Sequence, residues 1–342
     1  MDTRDSPEQT ELRRSARRLA VELGPPTVGA LDDDARSTRL AAAVRDAGWL
    51  ELRDDAGDGQ PLAGGAEAAI VAEALGAAVA DVAFTGPVLA RDLLRRAGLS
   101  PNPTATAYAT TLDAVAIVDR TATSEPLYAI DAGPDDDRAL VLVPAGAGFG
   151  LGHAPVASIE HGTDLTRTVA TIAPGAPVSP LASELSVDDL AAWTALGLAL
   201  TSADLVGVMR GVLDVTVAYA AERKQYGVAV GSFQAVQHLL AEARCLLEGS
   251  ASAAAYAGWA VDNVSPADAV AAGRVAKAYA ARAARTVSET AVQVHGGIGN
   301  TWDCVVHVYL RRALLSAQWF GDDAVQLRAL QRERLGVPVG LP

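Results

Sequence analysis

Cysteine, lysine and aromatic side chains are scarce in this chain of 342 residues. Two cysteines, Cys245 and Cys304, exclude a disulfide framework and the common zinc sites. Their scarcity fits a reducing, cytoplasmic compartment. Lys224 and Lys277 are the only lysines among 28 basic residues, and 41 acidic residues leave a formal net charge of −13. This balance argues against a general nucleic-acid or anionic-membrane binder, because phosphate contacts need clustered Lys and Arg. No uncharged apolar run reaches the ~18 residues of a membrane span. The charged opening, MDTRDSPEQTELRRSARRLA, has no signal-peptide core. The dominance of arginine and alanine is read as genome base composition. What remains is a chain that is 50% hydrophobic, long enough for two or three domains and a large core.

Three zones follow one another. Residues 1–104 read as helical. Ser6-Pro7-Glu8-Gln9 has the cap-then-proline order of a helix start, and Leu12, Leu19 and Leu23 recur at helical spacing until Gly24-Pro25-Pro26. Further helices fit Thr38–Ala47, Ala66–Val79 and Pro87–Ala97. Residues 105–178 hold short apolar runs between turn residues: Ala114–Val118, Leu127–Ile130, Ala139–Val143, Val156–Ile159 and Thr168–Ile172. They predict a compact antiparallel β unit, with Asp135–Asp137 as a solvated turn lacking EF-hand spacing. Residues 179–342 return to long helices: one from Ser186 to about Glu222, one over Phe233–Val261, and one opening at Ser265-Pro266 and running to Val294. A fourth spans Val305–Ala317, with a helical stretch over Asp322–Leu335. Four antiparallel helices with short connections predict a bundle. The fold class is therefore α+β, mostly α.

Two segments differ from generic bundle helix. The first is Glu222-Arg-Lys-Gln-Tyr-Gly227 with Phe233-Gln-Ala-Val-Gln-His238. Arg223 offers a fork of donors suited to a diphosphate, and the amides of Gln234 and Gln237 suit a base edge or backbone. A charged helix end with an ordinary turn is the plainer alternative. The second is Gln293-Val-His-Gly-Gly-Ile-Gly-Asn-Thr-Trp302, where glycines permit close backbone approach or simply end a helix. It follows a helix, not a strand, so it is no dinucleotide fingerprint. His295 suits either a hydrogen bond to a ligand or the helix end. His238 and His307 read as packing or surface residues, Trp302 and Trp319 as core or interface aromatics, and Cys245, in a helical apolar run, as a small hydrophobe.

Together these segments resemble the acyl-CoA dehydrogenase family. The resemblance extends to Gly48-Trp-Leu-Glu-Leu52, Glu73-Ala-Leu-Gly76, Phe84-Thr-Gly-Pro-Val-Leu-Ala90 and Tyr309-Leu-Arg-Arg-Ala313. It implies an N-terminal helical domain (1–104), a reduced middle β domain (105–178) and a C-terminal four-helix bundle (179–342). It also implies FAD, an acyl-CoA substrate and an electron-transfer flavoprotein or similar acceptor. In the family, a carboxylate removes the α-proton while hydride leaves Cβ. The cofactor contacts carried over are Arg223, Lys224, Gln225, Phe233, Gln234, Gln293, Val294, His295, Gly296 and Gly297, made to FAD bound mainly by a neighbouring subunit.

The base is missing. Its two usual family positions fall on Phe320 and Gly197, and neither side chain takes a proton. Thr-Ser-Gln after the base is replaced by Asp322-Asp323-Ala324, and the family's substrate-contacting Asp and Arg by Ala195 and Leu198. Ser124-Glu125-Pro126 only echoes a flavin-binding segment of the β domain. Contacts given to a neighbour's FAD are kept, and those that build the chain's own site are lost. The resemblance therefore implies a short, base-less subunit of a heteromeric α2β2 enzyme, sharing FAD with a longer catalytic subunit and acting on a bulky or sterol-derived thioester. The alternatives are a self-sufficient dehydrogenase of acyl-CoA or carrier-protein thioesters with a displaced base at Asp303, Asp204 or Glu289, and a non-enzymatic scaffold.

Overall fold

The computed structural model describes residues 4–100, 107–110, 126–132, 137–145, 148–181 and 184–336. The chain opens with helices α1 (Pro7–Leu23), α2 (Asp34–Asp46), α3 (Gly65–Ala77) and α4 (Thr85–Arg96). Strands β1 (Ala107–Thr110), β2 (Leu127–Ile130), β3 (Arg138–Ala145), β4 (Gly148–Pro155), β5 (Ser158–His161), β6 (Thr168–Ile172) and β7 (Ser179–Pro180) follow. Then come α5 (Val187–Glu222), a hairpin of β8 (Lys224–Gln225) and β9 (Val228–Ala229), α6 (Gln234–Asn263), α7 (Pro266–His295), α8 (Val306–Gln318) and α9 (Asp323–Arg334). The mostly helical α+β class is as the sequence predicts.

Helix starts follow the caps written in the sequence. Ser6 and Gln9 form a reciprocal capping box, and Ser186 and Asp189 form another. Ser265 accepts from the amide of Asp268, with Pro266 at the first position. Two starts differ from expectation, both because of carboxylates. α2 begins four residues early, since Asp33 accepts the Arg36 amide at 2.9 Å. α4 begins at Thr85, where Oδ2 of Asp131, distant in sequence, faces the amides of Phe84, Thr85 and Gly86 at 3.4, 3.0 and 3.5 Å.

The seven strands form one sheet in the order β5-β6-β2-β1-β3-β4-β7. The sheet is not wholly antiparallel, because β1 runs parallel to β3 while its other neighbour, β2, is antiparallel. β2 and β6 match the expected runs, and β5 lies two residues beyond the expected Val156–Ile159. β4 went unrecognised because alternating glycines at Gly148, Gly150 and Gly152 mask its pattern. The expected strand Ala114–Val118, with Ser124 and Glu125 and most of the acidic turn, lies outside the described residues.

α5 is the axis of the molecule. It is apolar nearly all round and packs against α3, α4, α6, α7 and α8. It is long and apolar enough to cross a membrane, yet 94% of its most apolar window is buried inside the protein. Its first half joins the core shared with α1–α4 and the sheet, including Trp193, Leu196 and Leu200. Its second half joins a core with α6, α7 and α8, through Val208, Met209 and Val212. Cys245, read from the sequence as a small hydrophobe, is exposed on α6.

Candidate functional site

The two signature segments meet at one end of the bundle. α5 and α7 finish side by side there, with the ring of Tyr219 stacked on that of His295 at 4.1 Å. Arg223 caps α5 in extended backbone. Lys224 and Gln225 pair with Val228 and Ala229 across a tight turn at Tyr226 and Gly227, whose φ angles are 53° and 81°. Two positive φ angles in succession define a hairpin turn that favours glycine at its second position. Phe233 precedes α6 and meets the Tyr226 ring edge-on at 6.5 Å. Gln234 opens α6, and Gln237 binds the Gly231 carbonyl at 3.1 Å, so its amide is committed to backbone. On the other segment, Gln293 is exposed and Val294 half-buried, while His295 is buried. Gly296 ends α7 with φ 67°, and Gly296 and Gly297 both face solvent.

Arg223, Lys224, Gln225, Phe233, Gln234, Gln293, Gly296 and Gly297 are all exposed. The side chains of Arg223 and Lys224 make no ion pair among the described residues. Two cations without an ion pair suit a diphosphate, and the exposed aromatics suit a planar ring or a partner surface. The donor set fits the diphosphate and adenosine half of FAD. Tyr219 is the residue that sequence reasoning missed. No signal in the sequence marks it, because its partner His295 ends a different helix.

The two base positions also meet, at a different place. Gly197 lies in the first half of α5, and Phe320 follows α8. A Cβ on Gly197 would fall 2.2 Å from Cζ of Phe320. The Phe320 ring thus occupies the volume that any side chain at position 197 would need. Trp193 closes the other side at 5.3 Å, with its indole N–H donating to the Leu89 carbonyl at 3.0 Å. Phe320 takes the left-handed conformation (φ 59°), and Gln326 holds its carbonyl from below. The pocket position is filled with carbon and holds no proton acceptor.

None of the displaced-base candidates faces this point as a free carboxylate. Asp204 is buried, with Oδ1 2.9 Å from Arg167 and 2.7 Å from Arg312, and Oδ2 accepting from the Ser316 hydroxyl at 2.7 Å. Burial alone would raise its pKa, but the two guanidiniums hold it below the usual carboxylate range. Glu289 is exposed and paired with Arg285 at 2.9 Å. Asp303 lies before α8, about 20 Å of helix away from Phe320. Asp322 caps α9 by accepting the Val325 amide at 2.8 Å, and Ala195 and Leu198 are buried packing residues. His307 and Trp319 are buried, Trp302 is 65% exposed, and His238 is exposed.

Roughly 37 Å of helix separates Gly197 from Glu222 at about 1.5 Å per residue. The open, cationic end and the filled base position are therefore remote sites on one rod.

The family model for the acyl-CoA dehydrogenase C-terminal domain matches residues 195–335. Acyl-CoA dehydrogenase IpdE2 of Mycobacterium tuberculosis is 30% identical over 344 residues, covering 96% of this chain and 98% of the relative. IpdE2 of Mycolicibacterium smegmatis is 36% identical over 170 residues, half of each protein, and FadE34 of M. tuberculosis matches over only 26% of its own length. Among solved structures, a Tcur3481-Tcur3483 steroid ACAD variant superposes with a TM-score of 0.79 at 21% identity, covering 96% of this chain and 98% of that one. The ChsE4-ChsE5 complex of M. tuberculosis superposes with 0.74 at 23% identity, covering 99% and 100%.

Proposed function

This chain is a member of the acyl-CoA dehydrogenase family, and from that premise we propose that it is the non-catalytic, FAD-contributing subunit of a heteromeric acyl-CoA dehydrogenase. One observation carries the reading. The side chain of Phe320 fills the space above Gly197, while the cofactor-type donors stand open at the far end of α5. A subunit built this way holds no base for its own thioester, but it presents a finished surface to a neighbour. The complex named for ChsE4 and ChsE5 supports a partner subunit, and the steroid ACAD title supports a bulky or sterol-derived acyl group.

FAD, when bound, supplies the acceptor for the hydride that leaves Cβ of the thioester. Arg223 and Lys224 hold its diphosphate by charge. Gln293, with the backbone of Gly296 and Gly297, holds the adenosine half, and Val294 and His295 support that turn. Gln225, Phe233 and Gln234 complete the surface between subunits. The carboxylate that removes the α-proton comes from a longer partner, and the electrons leave to an electron-transfer flavoprotein or similar acceptor. The helical, β and bundle zones act as three domains, with assembly through the bundle, in the cytoplasm.

Co-expression with a longer family member tests this. The pair should purify together with flavin and dehydrogenate an acyl-CoA, and a carboxylate substitution in the partner alone should abolish turnover. If this chain purifies by itself as a stable tetramer with one flavin per subunit, the reading is wrong.

A further inference from the structure

Tyr219 touches both cofactor segments. It lies half-buried in the last turn of α5. Its carbonyl accepts the amide of Arg223 at 2.8 Å. Its ring stacks on the His295 imidazole, 4.1 Å between centroids and 20° between planes, and its hydroxyl reaches the His295 carbonyl at 3.4 Å. That carbonyl immediately precedes Gly296, so the contact fixes the start of the exposed turn.

The imidazole is oriented from a second side. Nδ1 of His295 lies 2.8 Å from the Ala291 carbonyl. A carbonyl oxygen only accepts, so Nδ1 carries the proton and Nε2 is an acceptor. Burial holds the imidazolium pKa below its ordinary value, although the Ala291 bond works the other way. Nε2 makes no hydrogen bond among the described residues.

We propose that Tyr219 is a positioning residue for the cofactor surface. It sets the Gly296-Gly297 turn against Arg223 and holds His295 so that Nε2 accepts from a hydroxyl or amino donor of the adenosine half of FAD. This rests on the cofactor-sharing function proposed above. Sequence spacing alone would not reveal it, because the pairing joins residues at the ends of two different helices.

The test uses the assembled heteromer and FAD itself, with affinity measured by flavin fluorescence after stripping and reconstitution. Tyr219→Leu should weaken FAD binding about tenfold, with assembly and melting temperature retained. Tyr219→Phe keeps the stacked ring and should stay within about threefold of wild type. His295→Phe keeps a ring on Tyr219 but has no nitrogen, and should lose about as much as Tyr219→Leu. Wild-type affinity in Tyr219→Leu overturns the positioning role, and wild-type affinity in His295→Phe overturns the acceptor. If Tyr219→Leu fails to assemble, His295→Ala removes the stack from the other side and takes its place. Arg223→Gln separates the two levels of inference. Affinity unchanged by Arg223→Gln sinks the cofactor-sharing function itself, whereas loss there without loss in Tyr219→Leu sinks only the positioning role.

Discussion

The two ends of α5 are built on opposite principles. At Gly197 the ring of Phe320 packs onto the helix beside the helix's own Trp193, and the adjoining Trp319 ring carries Arg167 at 4.2 Å. Polar groups there are buried and bonded internally: Asp204 serves two arginines, and Lys277 donates to the Ser316 carbonyl at the end of α8. Around Arg223 the same helix ends in solvent, with exposed cations, Tyr226 95% exposed and Trp302 65% exposed. The first region spends its side chains on internal closure and the second leaves them for something outside. Roughly 37 Å of rigid helix separates the two regions, so the packing of one does not depend on that of the other.

The sharpest way to break this comparison is to unpair the closed region. Asp204→Ala leaves Arg167 and Arg312 buried without their carboxylate and should cost about 3–5 kcal/mol of unfolding free energy. Denaturant titration measures it, and a loss below about 1 kcal/mol would mean the network does not hold the region. Because the folded-state pKa of Asp204 is depressed, its contribution is present above about pH 4 and lost as pH falls through the lower folded value.

Next in size is the aromatic plug. Phe320→Ala should cost about 3 kcal/mol through the cavity it leaves beside Trp193. Gly197→Ala should cost about 1–3 kcal/mol by overpacking against the same ring. The double variant should cost clearly less than the two losses together, since the new methyl enters the space the ring vacates. Strict additivity in thermal or chemical unfolding would show that the two positions do not share one volume.

Lys277 gives a pH signature. Burial pushes its ammonium down to about 7, against the pull of Asp204 and Asp322. Between that value and the ordinary ~10.4 the unfolded chain holds a proton that the folded chain does not, so stability should rise with pH across this window. Lys277→Met should flatten the rise, as read from unfolding free energies at pH 7 and about pH 10. The smallest stability effect belongs to the open end. Arg223→Gln should change unfolding by no more than about 0.5 kcal/mol, while lowering the flavin content of the co-purified heteromer. A stability loss comparable to that of Phe320→Ala would erase the contrast between the regions.

Much of this was legible in the chain. Ser6, Ser186 and Ser265 announced three helices through their own side chains, because capping is decided within one turn. Arg223, Lys224 and the Gly296-Gly297 turn were legible because they stand at helix ends with no internal task. Gly197 and Phe320 were singled out separately by resemblance. Nothing in the sequence said that one fills the other, since they are joined only by the packing of α8 against α5. The start of α4 was missed for the same reason: its cap, Asp131, comes from the turn that follows β2.

The sequence by itself determined the helical content, the ends of the long helices, the two exposed signature segments and the absence of a carboxylate at either base position. These are local matters of periodicity, capping and residue identity. Only the tertiary structure decided that a ring fills the socket at Gly197, that Asp204 is a buried counter-ion to two arginines, and that Tyr219 joins the two signature segments. Each depends on side chains far apart in the chain sharing one volume or one charge, and such sharing is fixed by close packing in space, which no single stretch of sequence contains.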